Sequence, residues 1–136
     1  MHPNYQKADS LIETIIGAAI EVHRDKGPGL IESIYEWCLQ CELQLRHLPF
    51  ESQRLVPIAY KGFVREDELR FDLLVASCVL VEVKAVERVL PIHKAQLLSY
   101  MKVLNIPLGL LINFNNARLV DGVTRLVLKG AGPDKP

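Results

Sequence analysis

Val79-Leu80-Val81-Glu82-Val83-Lys84-Ala85-Val86 is a run of apolar β-formers interrupted by an acid and a base at alternate positions. Side chains alternate along a strand, so Glu82 and Lys84 share one face while Val81, Val83 and Ala85 point to the other. A strand this apolar belongs inside a sheet, where an ionised group without partners costs several kcal/mol by order of magnitude. The ordinary alternative is an ion pair within an edge strand that faces solvent.

The strand before it brings a second acid. In Arg70-Phe71-Asp72-Leu73-Leu74-Val75 the carboxylate of Asp72 lies ten positions before Glu82. Facing residues of an antiparallel pair have a constant index sum, so a three-residue connection Ala76-Ser77-Cys78 sets Asp72 directly opposite Glu82. Two carboxylates facing across about 5 Å repel unless a cation lies between them or one binds a proton. Oxygen donors with few histidines nearby point to Mg²⁺ or Mn²⁺ rather than zinc. Lys84, one pleat along, then reaches a water or a phosphate oxygen, and the set suits hydrolysis of a phosphodiester.

Outward from this centre the pattern alternates helices and strands. Ser10-Leu11-Ile12-Glu13 reads as a capping box opening a helix that runs to Lys26, and Gly27-Pro28-Gly29 stops it. A second helix runs from about Leu30 to about His47, with Ile31, Ile34, Trp37, Cys38, Cys41 and Leu45 as its expected core stripe. Extended runs follow at Arg54–Lys61, Leu69–Ala76 and Cys78–Val86, with the polar stretch Arg65-Glu66-Asp67-Glu68 connecting the first two. These three form an antiparallel meander.

Pro91 opens a third helix bearing Ala95, Leu97, Leu98, Met101 and Leu104. Leu108–Asn113 is a buried strand that pairs parallel to the meander, because a crossover helix precedes it. Val123–Leu128 is an edge strand reached through a turn at Asp121-Gly122, and residues 130–136 form a tail. The order ααβββαββ specifies an α/β domain whose mixed sheet is flanked by helices, with a core at about residues 10–129 of a single domain 1–136.

Helix three adds His93, Gln96 and Tyr100 on one face. Gln96 can hold a water, Tyr100 a phosphate, and His93 reads first as a helix-start residue. On helix two, Glu32 sits where the macrodipole favours an acid, and Tyr35 and Trp37 read as packing residues.

Composition bounds the partners. Lys plus Arg equals Asp plus Glu at 16 each, so no global basic field draws in a polyanion, and nucleic-acid binding must rest on a local patch. Arg54, Lys61, Arg65 and Arg70 are interleaved with acids and read as a solvated face. The three cysteines fit a reducing compartment, and Cys38-x-x-Cys41 lies in a helical pattern without the further ligands that zinc needs. No apolar run reaches membrane-span length and no secretory signal opens the chain, so a cytoplasmic, membrane-free protein is expected.

Gly29-Leu30-Ile31-Glu32-Ser33-Ile34-Tyr35 is a G-x-x-E-x-x-Y signature. With Arg70–Val75, Glu82–Glu87, Leu97–Tyr100 and Gly109–Phe114, it makes the chain resemble the small GxxExxY proteins of the PD-(D/E)XK, or restriction-endonuclease-like, superfamily. The resemblance spans roughly Leu11 to Leu128. It implies that Asp72 and Glu82 bind Mg²⁺ or Mn²⁺ with the Val83 carbonyl and Glu32 as further support. It likewise gives Lys84 the role of the E-x-K lysine, and it matches Gln96 and Tyr100 to the Q-x-x-x-Y element of RecB-like nucleases. It further implies a metal-dependent nuclease acting on DNA rather than RNA. One such domain presents a small footprint and duplex cutting needs two sites, which suits a homodimer. The other class of reading is a catalytically silent nuclease-fold module within a larger defence or repair assembly.

Overall fold

The computed structural model describes residues 1–133. Helices α1 (Tyr5–Lys26) and α2 (Glu32–Leu45) precede strands β1 (Phe50–Tyr60), β2 (Phe63–Val75) and β3 (Val79–Lys84). Helix α3 (Pro91–Leu104), strand β4 (Leu108–Asn113), a 3₁₀ turn (Leu119–Gly122) and strand β5 (Val123–Val127) complete the order. One mixed five-stranded sheet runs β1-β2-β3-β4-β5. Only β3 and β4 pair parallel, joined through α3 as the crossover rule requires.

Both sheet faces are covered. Leu73, Val75, Val79, Val81, Val83, Leu108, Leu110 and Ile112 pack with α1 and α2, while Leu74, Leu80 and Leu111 pack with Leu97, Met101 and Leu104 of α3. Alternation along the central strand β3 therefore delivers Glu82 and Lys84 to the α3 face.

The β2–β3 register is the expected one, with Val75↔Val79, Leu74↔Leu80 and Leu73↔Val81. One step further the same register sets Asp72 across from Glu82. The connection turns without glycine: Ala76 and Ser77 take φ of 50° and 59°, and the Cys78 N–H donates to the Val75 carbonyl at 3.0 Å.

Several expectations need correction. Helix α1 begins at Tyr5, so Ser10 is no cap and its Oγ donates to the Lys7 carbonyl at 2.6 Å. The added turn is held from a distance, since Arg125 donates to the Tyr5 hydroxyl and to Asp9, and the His2 N–H to the Ala131 carbonyl. Ala131 is accordingly buried, so the expected tail is docked there, and its last residues 134–136 lie outside the described part.

Helix α2 is shorter than expected and turns its other face inward. Tyr35, Leu39 and Leu43 are buried, whereas Ile31, Ile34, Leu45 and Trp37, the last 64% exposed, face solvent. On α3, Leu97, Met101 and Leu104 are buried and Ala95 and Leu98 are not. β3 ends at Lys84 because Asn113 captures both backbone polar groups of Val86, and a 3₁₀ turn replaces the simple turn at Asp121-Gly122.

The largest difference lies in β1 and β2. The acidic run 65–68 is not a connection but part of β2, paired with β1 through Pro57↔Glu66 and Val56↔Asp67. The hairpin turns at Lys61-Gly62, both at positive φ, as a two-residue turn prefers. Beyond Leu73 the hairpin has no third strand from β3 and projects as a two-stranded arm. Val56, Ile58, Leu69 and Phe71 secure it against the α3 cluster, which supplies the third layer that an isolated hairpin lacks.

Candidate active site at the β2–β3 fork

Asp72 sits where the arm departs. Between the pairs Glu51↔Leu74 and Gln53↔Arg70 the register shifts, so Ser52 of β1 faces Phe71, Asp72 and Leu73 of β2. A bulge bends its strand and re-aims a side chain. The Ser52 hydroxyl fixes this one by donating to the Asp72 carbonyl at 3.0 Å. Asp72 Oδ2 reaches across the fork and accepts the Val83 N–H at 2.7 Å, a side-chain bond where the ladder has opened.

The fork opens into a cavity of about 270 Å³ lined by Asp72 and Glu82 on the sheet, by Arg70 and Phe71 at the root of the arm, and by Gln96 and Tyr100 on α3. Lys84 Nζ stands 3.3 Å from Glu82 Oε1. The ordinary alternative of an ion pair is thus present, but on a central strand and with the two side chains only 17% and 24% exposed.

Glu32 approaches from the opposite sheet face. As the first residue of α2 it points its Oε1 at the Ala85 N–H, 3.3 Å away, at the exit of β3. His93 is absorbed by helix capping, its Nδ1 accepting the Leu90 N–H at 3.0 Å. Tyr35 is a packing residue, fully buried and stacked on Phe114 at 4.6 Å, whereas Trp37 is a surface residue. The arginines of the arm pair with acids, Arg65 with Asp67, Arg70 with Glu68 and Arg54 with Glu51, which makes that face a solvated, mixed-charge one.

One acid escaped the sequence reading. Glu36, one helical turn after Glu32, lines a second hollow with Asp72, Arg70, Phe71, Ser52 and Gln53. The i, i+4 spacing from Glu32 was the available signal. Burial pushes the Glu36 carboxyl above the usual range, and the charges of Asp72 and Glu32 push it further the same way. Burial also raises Asp72; the Val83 N–H opposes this, Glu82 and Glu32 raise it, and Lys84 lowers it. Four carboxylates therefore feel one another around one lysine, an excess of negative charge.

That excess is the fit test for a cation. Among the described residues no three His, Cys, Asp or Glu side chains form a group that could hold a metal ion as they stand. The donor chemistry nevertheless fits a hard divalent ion, since every acidic group at the fork offers oxygen and no thiol or imidazole lines the cavity. Asp72 and Glu82 are the two carboxylates that reach it.

No helix among the described residues is long and apolar enough to cross a membrane. No curated protein and no solved structure matches the chain. The family model described as the PD-(D/E)XK nuclease superfamily matches residues 9–126, which takes in both sheet faces, the fork and all three helices. Sequence pattern, sheet order and family model agree, and the chain belongs to the PD-(D/E)XK nuclease superfamily.

Proposed function

We propose that the chain is a divalent-cation-dependent nuclease that hydrolyses phosphodiester bonds in DNA. The observation that carries this reading is the meeting of Asp72 and Glu82, from adjacent strands, in one open cavity with Gln96 and Tyr100, beside the Lys84 amine. Asp72 and Glu82, with the Val83 carbonyl, would hold Mg²⁺ or Mn²⁺, which supplies a polarised phosphoryl group and a water of lowered pKa.

The chain's own groups orient the rest. Lys84 leaves Glu82 to donate to a phosphoryl oxygen as charge builds there, and Gln96 holds the attacking water. Tyr100 binds a flanking phosphate. Duplex cutting needs two such sites, so a homodimer follows from this reading. The G-x-x-E-x-x-Y run supports the narrower GxxExxY assignment.

Incubation with linear, nicked, branched and single-stranded DNA in Mg²⁺ or Mn²⁺, read on denaturing gels, tests the proposal. Cutting that disappears with Glu82→Gln and Lys84→Ala is the expected result. No cutting of any substrate, or cutting that survives both changes, refutes it. The ready-made Lys84–Glu82 ion pair favours a second reading, a nuclease-fold binding module that does not cut. Titration calorimetry bears on the two: cation uptake abolished by Asp72→Ala supports the nuclease, and absence of cation uptake together with tight protein partnership supports the module.

A further inference from the structure

Resting on the reading above, we propose that the Glu32 and Tyr35 side chains of the G-x-x-E-x-x-Y run are positioning residues for Lys84, which set where its amine stands.

Lys84 is the last residue of β3, so no ladder beyond it fixes the direction of its flexible four-carbon stem. The backbone just past it is instead pinned group by group. The Lys84 carbonyl accepts the Phe114 N–H at 2.8 Å, and the Ala85 N–H donates to Glu32 Oε1 at 3.3 Å. The Val86 N–H donates to Asn113 Oδ1 at 3.0 Å, and its carbonyl accepts from Asn113 Nδ2 at 2.9 Å.

Both partners nearest the lysine trace back to the motif. The Phe114 ring stacks on Tyr35 at 4.6 Å and an interplanar angle of 12°. The Tyr35 hydroxyl in turn donates to the Gly27 carbonyl at 2.5 Å and accepts the Leu30 N–H at 3.0 Å, fixing the approach to α2. Glu32 is the first residue of that helix. A single bracket, from the Gly27–Leu30 turn through α2, thus holds the strand exit on which the amine depends.

The assignment differs from a ligand role for Glu32, which meets the Ala85 N–H at the strand exit and, unlike Asp72 and Glu82, does not line the fork cavity. Active-site groups must stand within about 0.5 Å of their productive place, so slackening the exit costs rate without costing cation affinity.

Glu32→Gln retains an acceptor for the Ala85 N–H, and Glu32→Ala does not. Expected are a fall in kcat of about 10- to 100-fold for Glu32→Ala, near-normal kcat for Glu32→Gln, and unchanged KM in both. Mn²⁺ affinity by calorimetry should be the same in both variants and the parent chain. Equal losses of Mn²⁺ affinity in both variants, or equal losses of kcat in both, overturn the proposal.

A readout independent of cutting keeps the two readings separable. In ¹³C-lysine spectra the Lys84 side-chain signal, assigned by its absence in Lys84→Ala, should shift in Glu32→Ala and stay in place in Glu32→Gln. If that signal behaves so while DNA is never cut, the bracket stands and the nuclease reading falls. If DNA is cut while the signal is indifferent to Glu32, the reverse holds.

Discussion

Replacing Tyr35 by Phe isolates one anchor. The ring stays, fully buried and stacked on Phe114, while the hydroxyl loses its bonds to the Gly27 carbonyl and the Leu30 N–H. A hydrogen bond contributes about 0.5–1.5 kcal/mol net, so two give roughly 2 kcal/mol. At ~2.1 cal/mol/K per residue, a chain of 136 residues unfolds with an entropy of roughly 0.29 kcal/mol/K near its midpoint. The expected drop in Tm is therefore about 7 °C by calorimetry or circular dichroism. Tyr35→Leu should fall further by ~0.5–1.5 kcal/mol as the aromatic contact goes. A Tm for Tyr35→Phe within about 1.5 °C of the parent would refute the anchoring role, since each bond would then be worth far less than the usual range.

Asp72→Asn keeps an acceptor for the Val83 N–H and removes a charge that burial and neighbouring acids disfavour. Because the folded-state pKa is raised, the folded state holds its proton longer, and stability is lost as pH rises through the window between the ordinary carboxylate range and the raised value. In cation-free buffer Asp72→Asn should therefore be more stable than the parent at neutral pH, and the gain should vanish in acid; thermal melts across that range decide it. A Cβ on Gly109 would lie 2.6 Å from Met101 Sδ and 3.3 Å from Leu97 Cδ2, so Gly109→Ala should cost about 1–3 kcal/mol in urea unfolding as α3 is pushed off β4. At the arm tip Tyr60 and Phe63 face one another, 67% and 79% exposed, with Lys61 Nζ 5.3 Å from the Tyr60 ring. If these rings stack on unpaired bases, Tyr60→Ala with Phe63→Ala should weaken binding of single-stranded DNA by ~1–3 kcal/mol per base in anisotropy titrations, with no change in Tm.

The sheet was legible because its signals are local or arithmetical. An odd connection at Ala76-Ser77-Cys78 fixed which residues of β2 and β3 face each other, and an apolar strand after a crossover helix required the parallel pair with β4. Helix α2 was misread because it is apolar on two sides, and periodicity alone cannot tell Ile31, Ile34 and Trp37 from Tyr35, Leu39 and Leu43. What decided it was aromatic stacking on Phe114, which lies 79 positions from Tyr35. The arm escaped because a charged, exposed run such as Arg65–Glu68 carries no hydrophobic alternation, and cross-strand pairing alone makes it a strand. Asp72, Glu82, Gln96 and Tyr100, which line one cavity, are legible from strand register and helical spacing, while Glu36 is hidden when only one acid of α2 is placed near the strands.

The bond from Asp72 to the Val83 amide has a practical corollary for dissecting this centre. On the proposed reading one carboxylate would be at once rivet and reagent: it closes the gap that the diverging hairpin leaves, and it lines the fork cavity. Truncating it to alanine strands a donor and loosens the seam, at about 1–3 kcal/mol, so an inert Asp72→Ala protein would confound damage with disarmament. Glu82→Gln strands no backbone donor and relieves the excess of negative charge, so on the proposed reading a loss of turnover is interpreted more cleanly there.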